Sequence, residues 1–243
     1  MANGELADSV EGLYKAFAEY PLPAYTDPCL HCHTMDDEAK LRSKPLRELG
    51  IDELRDYAND ALLVWGDERV FKHFLPRIYE LYVTTADAYL DLCDPEIMFS
   101  KFRHGQWRTW PQSEQAAIES FLHALWAEVL ADPPEQGSFV DVESWLCSLG
   151  QSEDELSFYL SQWIDDERQP ACLALSALLI GSAVVLPDKQ GRNAFWDQRD
   201  AQYEQLQAWA KSSVVREKLQ RARARWDDID TQGEMETALS IAS

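Results

Sequence analysis

The chain has 243 residues, with 43 acidic against 22 basic side chains and a formal net charge of −21 at pH 7. A field of that sign repels phosphate backbones and anionic membrane surfaces, which argues against nucleic-acid and membrane binding and favours a basic protein partner. Hydrophobic residues make up 46% of the chain, enough for a sizeable core, and ten Gly with eleven Pro exclude a low-complexity or collagen-like polymer.

The opening stretch, "MANGELADSVEGLYKAF", has neither a basic nor an apolar leader segment, so no export signal is expected and the setting is read as cytoplasmic. Leu13, Phe17 and Tyr20 then fall at helical spacing. A second helix is expected after a cap at Asp52, with Leu54, Tyr57, Ala58, Leu62 and Trp65 on its apolar face. From about Asp67 to Leu90 the stripe Val70, Phe74, Ile78, Leu81 and Tyr82 predicts a long helix that Pro76 either kinks or divides. Asp94-Pro95-Glu96 opens a short helix through Phe102. Thr109 or Ser113 caps the next, whose face is Ile118, Phe121, Leu122, Leu125 and Trp126.

"DPPEQG", 132–137, is the strongest break in the chain and marks a candidate hinge near 132–138 within a single domain over 1–243. A helix around Val142 to Leu149 ends at Gly150, and Ser152-x-x-Glu155 reads as a capping box opening Glu153 to Ile164. Pro170 starts an apolar helix to Val185; the run Ala171 to Leu186 is interrupted by Ser176, Gly181 and Ser182 and falls short of a membrane span. After a break at 187–191, helices are expected over Asn193 to Ala210 and Val214 to Trp226. The last is basic: Lys211, Arg216, Lys218, Arg221, Arg223 and Arg225 against Glu217 alone, a helix that would lie against the acidic body or close an interface with it. No strand or hairpin signal occurs. The reading is all-α: an irregular array of about ten to twelve helices, arranged as HEAT-like pairs or as a globular bundle.

"PCLHCH", 28–33, holds the densest chemistry. Cys29-x-x-Cys32-His33 has the spacing of covalent haem attachment, but that requires export. A thioredoxin-like thiol pair would follow a strand and open a helix, and no such setting is read here. Zinc is the better metal reading: Cys29, Cys32 and His33 supply half a site, to be completed by His31, His73, His104, Cys93, Cys147 or Cys172. The favoured reading is a structured loop, with Pro21, Pro23 and Pro28 holding an extended segment that lays Leu22, Tyr25 and Leu30 on the helices and buries the cysteines. Five Cys, an odd number, argue against a disulfide framework.

Elsewhere, His104 with "GQWRTW" (Gly105 to Trp110) reads either as an anion pocket on Arg108 or, preferably, as a loop plugged by Trp107 and Trp110. His73 and His123 stand alone on aromatic helices, and no nucleophile elbow, P-loop, dinucleotide fingerprint or H-E-x-x-H is present. The acidic clusters lack EF-hand spacing.

The segment "ALLVWGDERVFKHFLPRIYEL" (Ala61 to Leu81), preceded by Cys29-x-x-Cys32 and "KPLRELGIDEL" (Lys44 to Leu54), resembles a family of uncharacterised bacterial, cytosolic, all-helical proteins over the first third of the chain. The resemblance implies a bacterial cytosolic setting and supplies no catalytic residues.

Two functions follow. The first is a non-catalytic acidic interaction protein, such as an immunity protein or inhibitor that neutralises a basic toxin or effector domain; Trp163, Asp165, Asp166 and Glu167, or Trp226, Asp227 and Asp228, are its candidate contacts. No cofactor is needed for it. The alternative is a zinc-binding protein or metal-dependent enzyme built on Cys29, Cys32 and His33.

Overall fold

A computed structural model of the chain describes residues 4–85, 88–135, 138, 140–186 and 191–241. Among them are thirteen α-helices, eleven with seven or more residues, and no strand, so the all-α reading holds. No helix among the described residues is long and apolar enough to cross a membrane. The chain divides into two compact units, Met1–Leu125 and Trp126–Ser243. The first carries 22 acidic and 12 basic side chains and the second 21 and 10, so the acidic excess belongs to both. Gly137, at the expected hinge, lies outside the described residues.

The first unit holds α1 (Gly4–Ala16), α2 (Met35–Lys40), α3 (Ile51–Asp60), α4 (Glu68–Thr84), α5 (Ala88–Asp91), α6 (Pro95–His104) and the start of α7 (Gln112–Ala131). Several boundaries differ from the sequence reading, each for a local reason. α1 stops at Ala16, yet Phe17 stays buried in the turn that follows. α3 begins behind Gly50, whose N–H donates to Glu53 Oε2 at 2.7 Å, so Asp52 lies inside the helix instead of capping it. It ends at Asp60, whose carbonyl accepts the N–H groups of Leu63, Val64 and Trp65. Leu62, with φ of 64°, turns the chain there, and Trp65 reaches the core from a loop, not from a helical stripe.

α4 runs unbroken through the buried Pro76 and ends at Thr84, short of Leu90; Asp67 caps it by accepting from the N–H groups of Arg69 and Val70. Its stripe is the core of the unit, with Tyr79 stacked on Phe102 at 4.7 Å and Phe74 against Tyr57 at 4.7 Å. α7 begins at Gln112 with Ser113 inside it, while the Thr109 hydroxyl donates to the Gln106 carbonyl. A buried ion pair joins the two long helices: Lys72 Nζ lies 2.8 Å from Glu114 Oε2, Tyr20 donates to Glu114 Oε1 at 2.5 Å, and the ammonium sits 4.2 Å from the Trp110 ring.

The second unit holds the rest of α7, then α8 (Val142–Ser152), α9 (Ser157–Asp165), α10 (Gln169–Gly181), α11 (Asp200–Ala210), α12 (Ser213–Arg225) and α13 (Ile229–Ile241). α8 does not stop at Gly150. The Ser152 hydroxyl donates backwards to the Leu149 carbonyl as part of its last turn, so the expected capping box does not form and α9 begins four residues later than expected, at Ser157. α10 ends at Gly181, and Ala183–Val185 form a separate 3₁₀ turn. The expected helix from Asn193 is likewise divided: Asn193 caps a 3₁₀ turn, Ala194–Trp196, before α11 begins. α13 has no counterpart in the sequence reading; it packs on α10 and α12 through Thr231, Met235 and Ala238.

Candidate functional site

The PCLHCH segment is tied down by polar contacts. Thr26 donates its N–H and its hydroxyl to Glu38 Oε1 at 3.0 and 3.1 Å, and its hydroxyl accepts from the Trp65 indole at 2.8 Å. Arg42 holds the same carboxylate by two bonds of 3.0 and 2.8 Å. Burial works to raise the Glu38 carboxyl, and the Arg42 and Thr26 donors more than reverse it, so it stays below the ordinary range. The Cys29 N–H donates to the Val64 carbonyl at 2.9 Å. His33 lies against the Trp65 ring at 4.3 Å, with Nε2 2.8 Å from Asp60 Oδ2 but not aligned for a hydrogen bond.

The loop is therefore structured, but not as expected. Tyr25 and Leu30 are exposed (45% and 62%), Cys29 is half-buried and Cys32 is exposed, so the cysteines are not core residues. The neighbouring His31 N–H and Cys32 hold the Cys29 thiol below the ordinary cysteine range, and the nearby Cys29 sulfur pushes the Cys32 thiol up. The zinc half-site is not completed: among the described residues no three His, Cys, Asp or Glu side chains converge so as to hold a metal ion. His73 turns instead to the Tyr20 carbonyl at 2.7 Å, and Cys93, Cys147 and Cys172 are buried. In the GQWRTW loop, Trp107 and Trp110 are buried and Arg108 pairs with Glu119 while covering the Trp107 ring at 3.8 Å, the plugged-loop arrangement.

Of the acidic candidates, most are engaged within the second unit. Arg168 grips both Asp166 oxygens, at 2.9 and 3.0 Å from Nε. Glu167 pairs with Arg221 at 3.2 Å and Arg225 at 3.0 Å, so the basic helix α12 lies against the acidic body. The buried Lys218 ammonium caps the end of α9 through the Ile164 and Asp166 carbonyls. Asp228 accepts from the Thr231 N–H at 2.8 Å and so holds the first turn of α13; Asp227 is exposed, and the half-buried Trp226 ring is covered by Arg225 at 5.4 Å. Trp163 is fully buried, donates to the Ala171 carbonyl at 2.8 Å, and belongs to the core instead of a contact surface.

Asp165 differs. It is exposed, forms no ion pair among the described residues, and lines a groove of about 360 Å³ between α9, α11 and the start of α12. Leu160, Ile164, Trp209 and Val214 make the walls. The Trp209 ring rests on buried Trp163 with centroids 5.4 Å apart, and its Nε1 is shielded from solvent with no partner among the described residues. Val214, at 46% exposure, carries the apolar surface outward. A larger groove of about 570 Å³ beside the PCLHCH loop is lined by charges of both signs, Asp27, Asp67 and Arg69, and Asp67 is already committed as the α4 cap. The smaller groove combines apolar walls with one uncommitted carboxylate. Sequence reading missed Trp209 because it sits on the shoulder of the α11 stripe Tyr203, Leu206 and Ala210, where a Trp looks like core.

No protein-family model matches the chain, and neither a curated protein nor a solved structure matches it.

Proposed function

We propose that the chain is a non-catalytic acidic binding protein that captures a basic protein partner, as an inhibitor or immunity protein captures a toxin or effector domain, and that the groove between α9 and α11 is its contact surface. The observation that carries the reading is Asp165: an exposed carboxylate without an ion pair among the described residues, at an apolar groove, on a unit with 21 acidic and 10 basic side chains. The occupant is a basic segment of the partner that sets a Lys or Arg against Asp165 and an apolar side chain against Trp209 and Val214. Opposite charge speeds the encounter, and the aromatic wall supplies the desolvated anchor that typically dominates binding energy.

The test uses a helical peptide rich in Lys and Leu and its Glu-for-Lys counterpart, titrated against the purified chain. The Lys peptide binds and weakens with salt; Asp165→Lys costs about fivefold in affinity and Trp209→Ala roughly tenfold or more. Equal binding of both peptides, or indifference to both substitutions, sinks the proposal.

A further inference from the structure

We propose that Cys29 and Cys32 form a dithiol site that closes reversibly to a disulfide by exchange with an external disulfide. The backbone carries this. The N–H groups of Cys32 and His33 both donate to the Cys29 carbonyl, each at 2.9 Å, so the segment makes one turn of helix without belonging to a helix. Such a turn sets the Cα atoms of residues three apart about 5 Å from each other, inside the range of roughly 4.4–6.8 Å that a disulfide spans. Thioredoxin-like pairs obtain this turn from a strand followed by a helix; here a loop supplies it.

Three further features fit. The turn is braced from outside by Cys29 N–H on the Val64 carbonyl and by His33 on Trp65, so the bond would close across a backbone turn already held in place. Solvent reaches this pair, with Cys29 half-buried and Cys32 exposed, whereas Cys93, Cys147 and Cys172 are buried. The two sulfurs are also asymmetric: Cys29 is half-buried, with its N–H on the Val64 carbonyl and its thiol held below the ordinary cysteine range, whereas Cys32 is exposed and its thiol is raised. Cys29 is then the attacking sulfur and Cys32 the resolving one.

The Cys29 thiolate attacks one sulfur of a disulfide RSSR, the S–S bond breaks, and RS⁻ leaves with the electron pair and takes up a proton. The Cys32 thiolate then attacks Cys29 in the mixed disulfide and expels the second RS⁻. Two protein thiols lose two electrons and two protons, and one RSSR becomes two RSH.

The purified full chain is equilibrated in glutathione buffers of graded redox poise, quenched by alkylation and mapped by peptide mass. The expected result is joint loss of alkylation at Cys29 and Cys32 with a two-electron dependence, and no glutathione adduct at either. In Cys32→Ser the oxidised form is instead a mixed disulfide of glutathione on Cys29. Both cysteines still fully alkylated in the most oxidising buffer, or each carrying glutathione without closure in the wild type, would overturn the proposal. So would reactivity that appears only after a zinc chelator, since that makes the pair a metal site. The wild-type map decides the matter even if a variant fails to fold.

Discussion

Gly150 matters through the atom it lacks. A Cβ there would stand 2.7 Å from Trp196 Cζ3, and the fully buried Trp196 is anchored by its indole on Glu143 Oε1 at 3.3 Å. Gly150→Ala gains helix propensity of up to ~1 kcal/mol but forces an overpacked ring, which costs roughly 1–3 kcal/mol; a lower urea midpoint is the expected net result. Gly12→Ala, with nothing within 4 Å of the added atom, is the control and raises the midpoint. A Gly after a helical run signals a stop in sequence. Gly150 is absent from the positive-φ residues, and its identity is set by a tryptophan 46 positions away, which no local pattern shows. Trp163 and Trp209 teach the same lesson. Both follow helical spacing, and only the packing of α9 against its neighbours makes one core and leaves the other on a groove wall.

Among elements, the apolar stripes of α4 and α7 were readable because burial imposes the helical period directly. Their ends were not, because termini answer to single polar contacts such as Gly50 with Glu53. α13 leaves little trace in the sequence because, among its described side chains, only the small or flexible Thr231, Met235 and Ala238 are buried to seat it. The link between α4 and α7 yields a sharp prediction. Lys72 and Glu114 have side chains only 3% and 1% exposed, so Glu114→Gln leaves an ammonium buried with its remaining partner Glu68 on the exposed side. The expected loss is roughly 3–5 kcal/mol by denaturant unfolding, and Lys72→Met with Glu114→Leu recovers most of it. Full stability of Glu114→Gln would show that the pair is not buried in solution. The exposed pairs of Glu167 with α12 should matter far less.

For the whole molecule, acid is the relevant stress. Burial holds the imidazoles of His73, His104 and His123 below the ordinary histidine range. The folded chain favours the neutral rings, so the unfolded chain takes up protons first as the pH falls through about 6.5. Their contribution is whole above that value and is lost progressively toward the folded-state value. The urea midpoint is expected to drop between about pH 7.5 and about pH 5.5, and to drop less in His73→Gln. Glu143, raised by burial, tilts the profile the opposite way, so its effect is separated by repeating the series in Glu143→Gln. A flat His73→Gln difference profile would refute the assignment. The tryptophans add a consequence of another kind. Trp126, Trp163 and Trp209 lie in a chain of ring contacts, 5.4 Å at each step and crossed at 81° and 32°. Transition dipoles held that close and that obliquely couple, so the second unit carries a built-in exciton signature in circular dichroism, an optical fingerprint that vanishes when the packing of these three rings is lost.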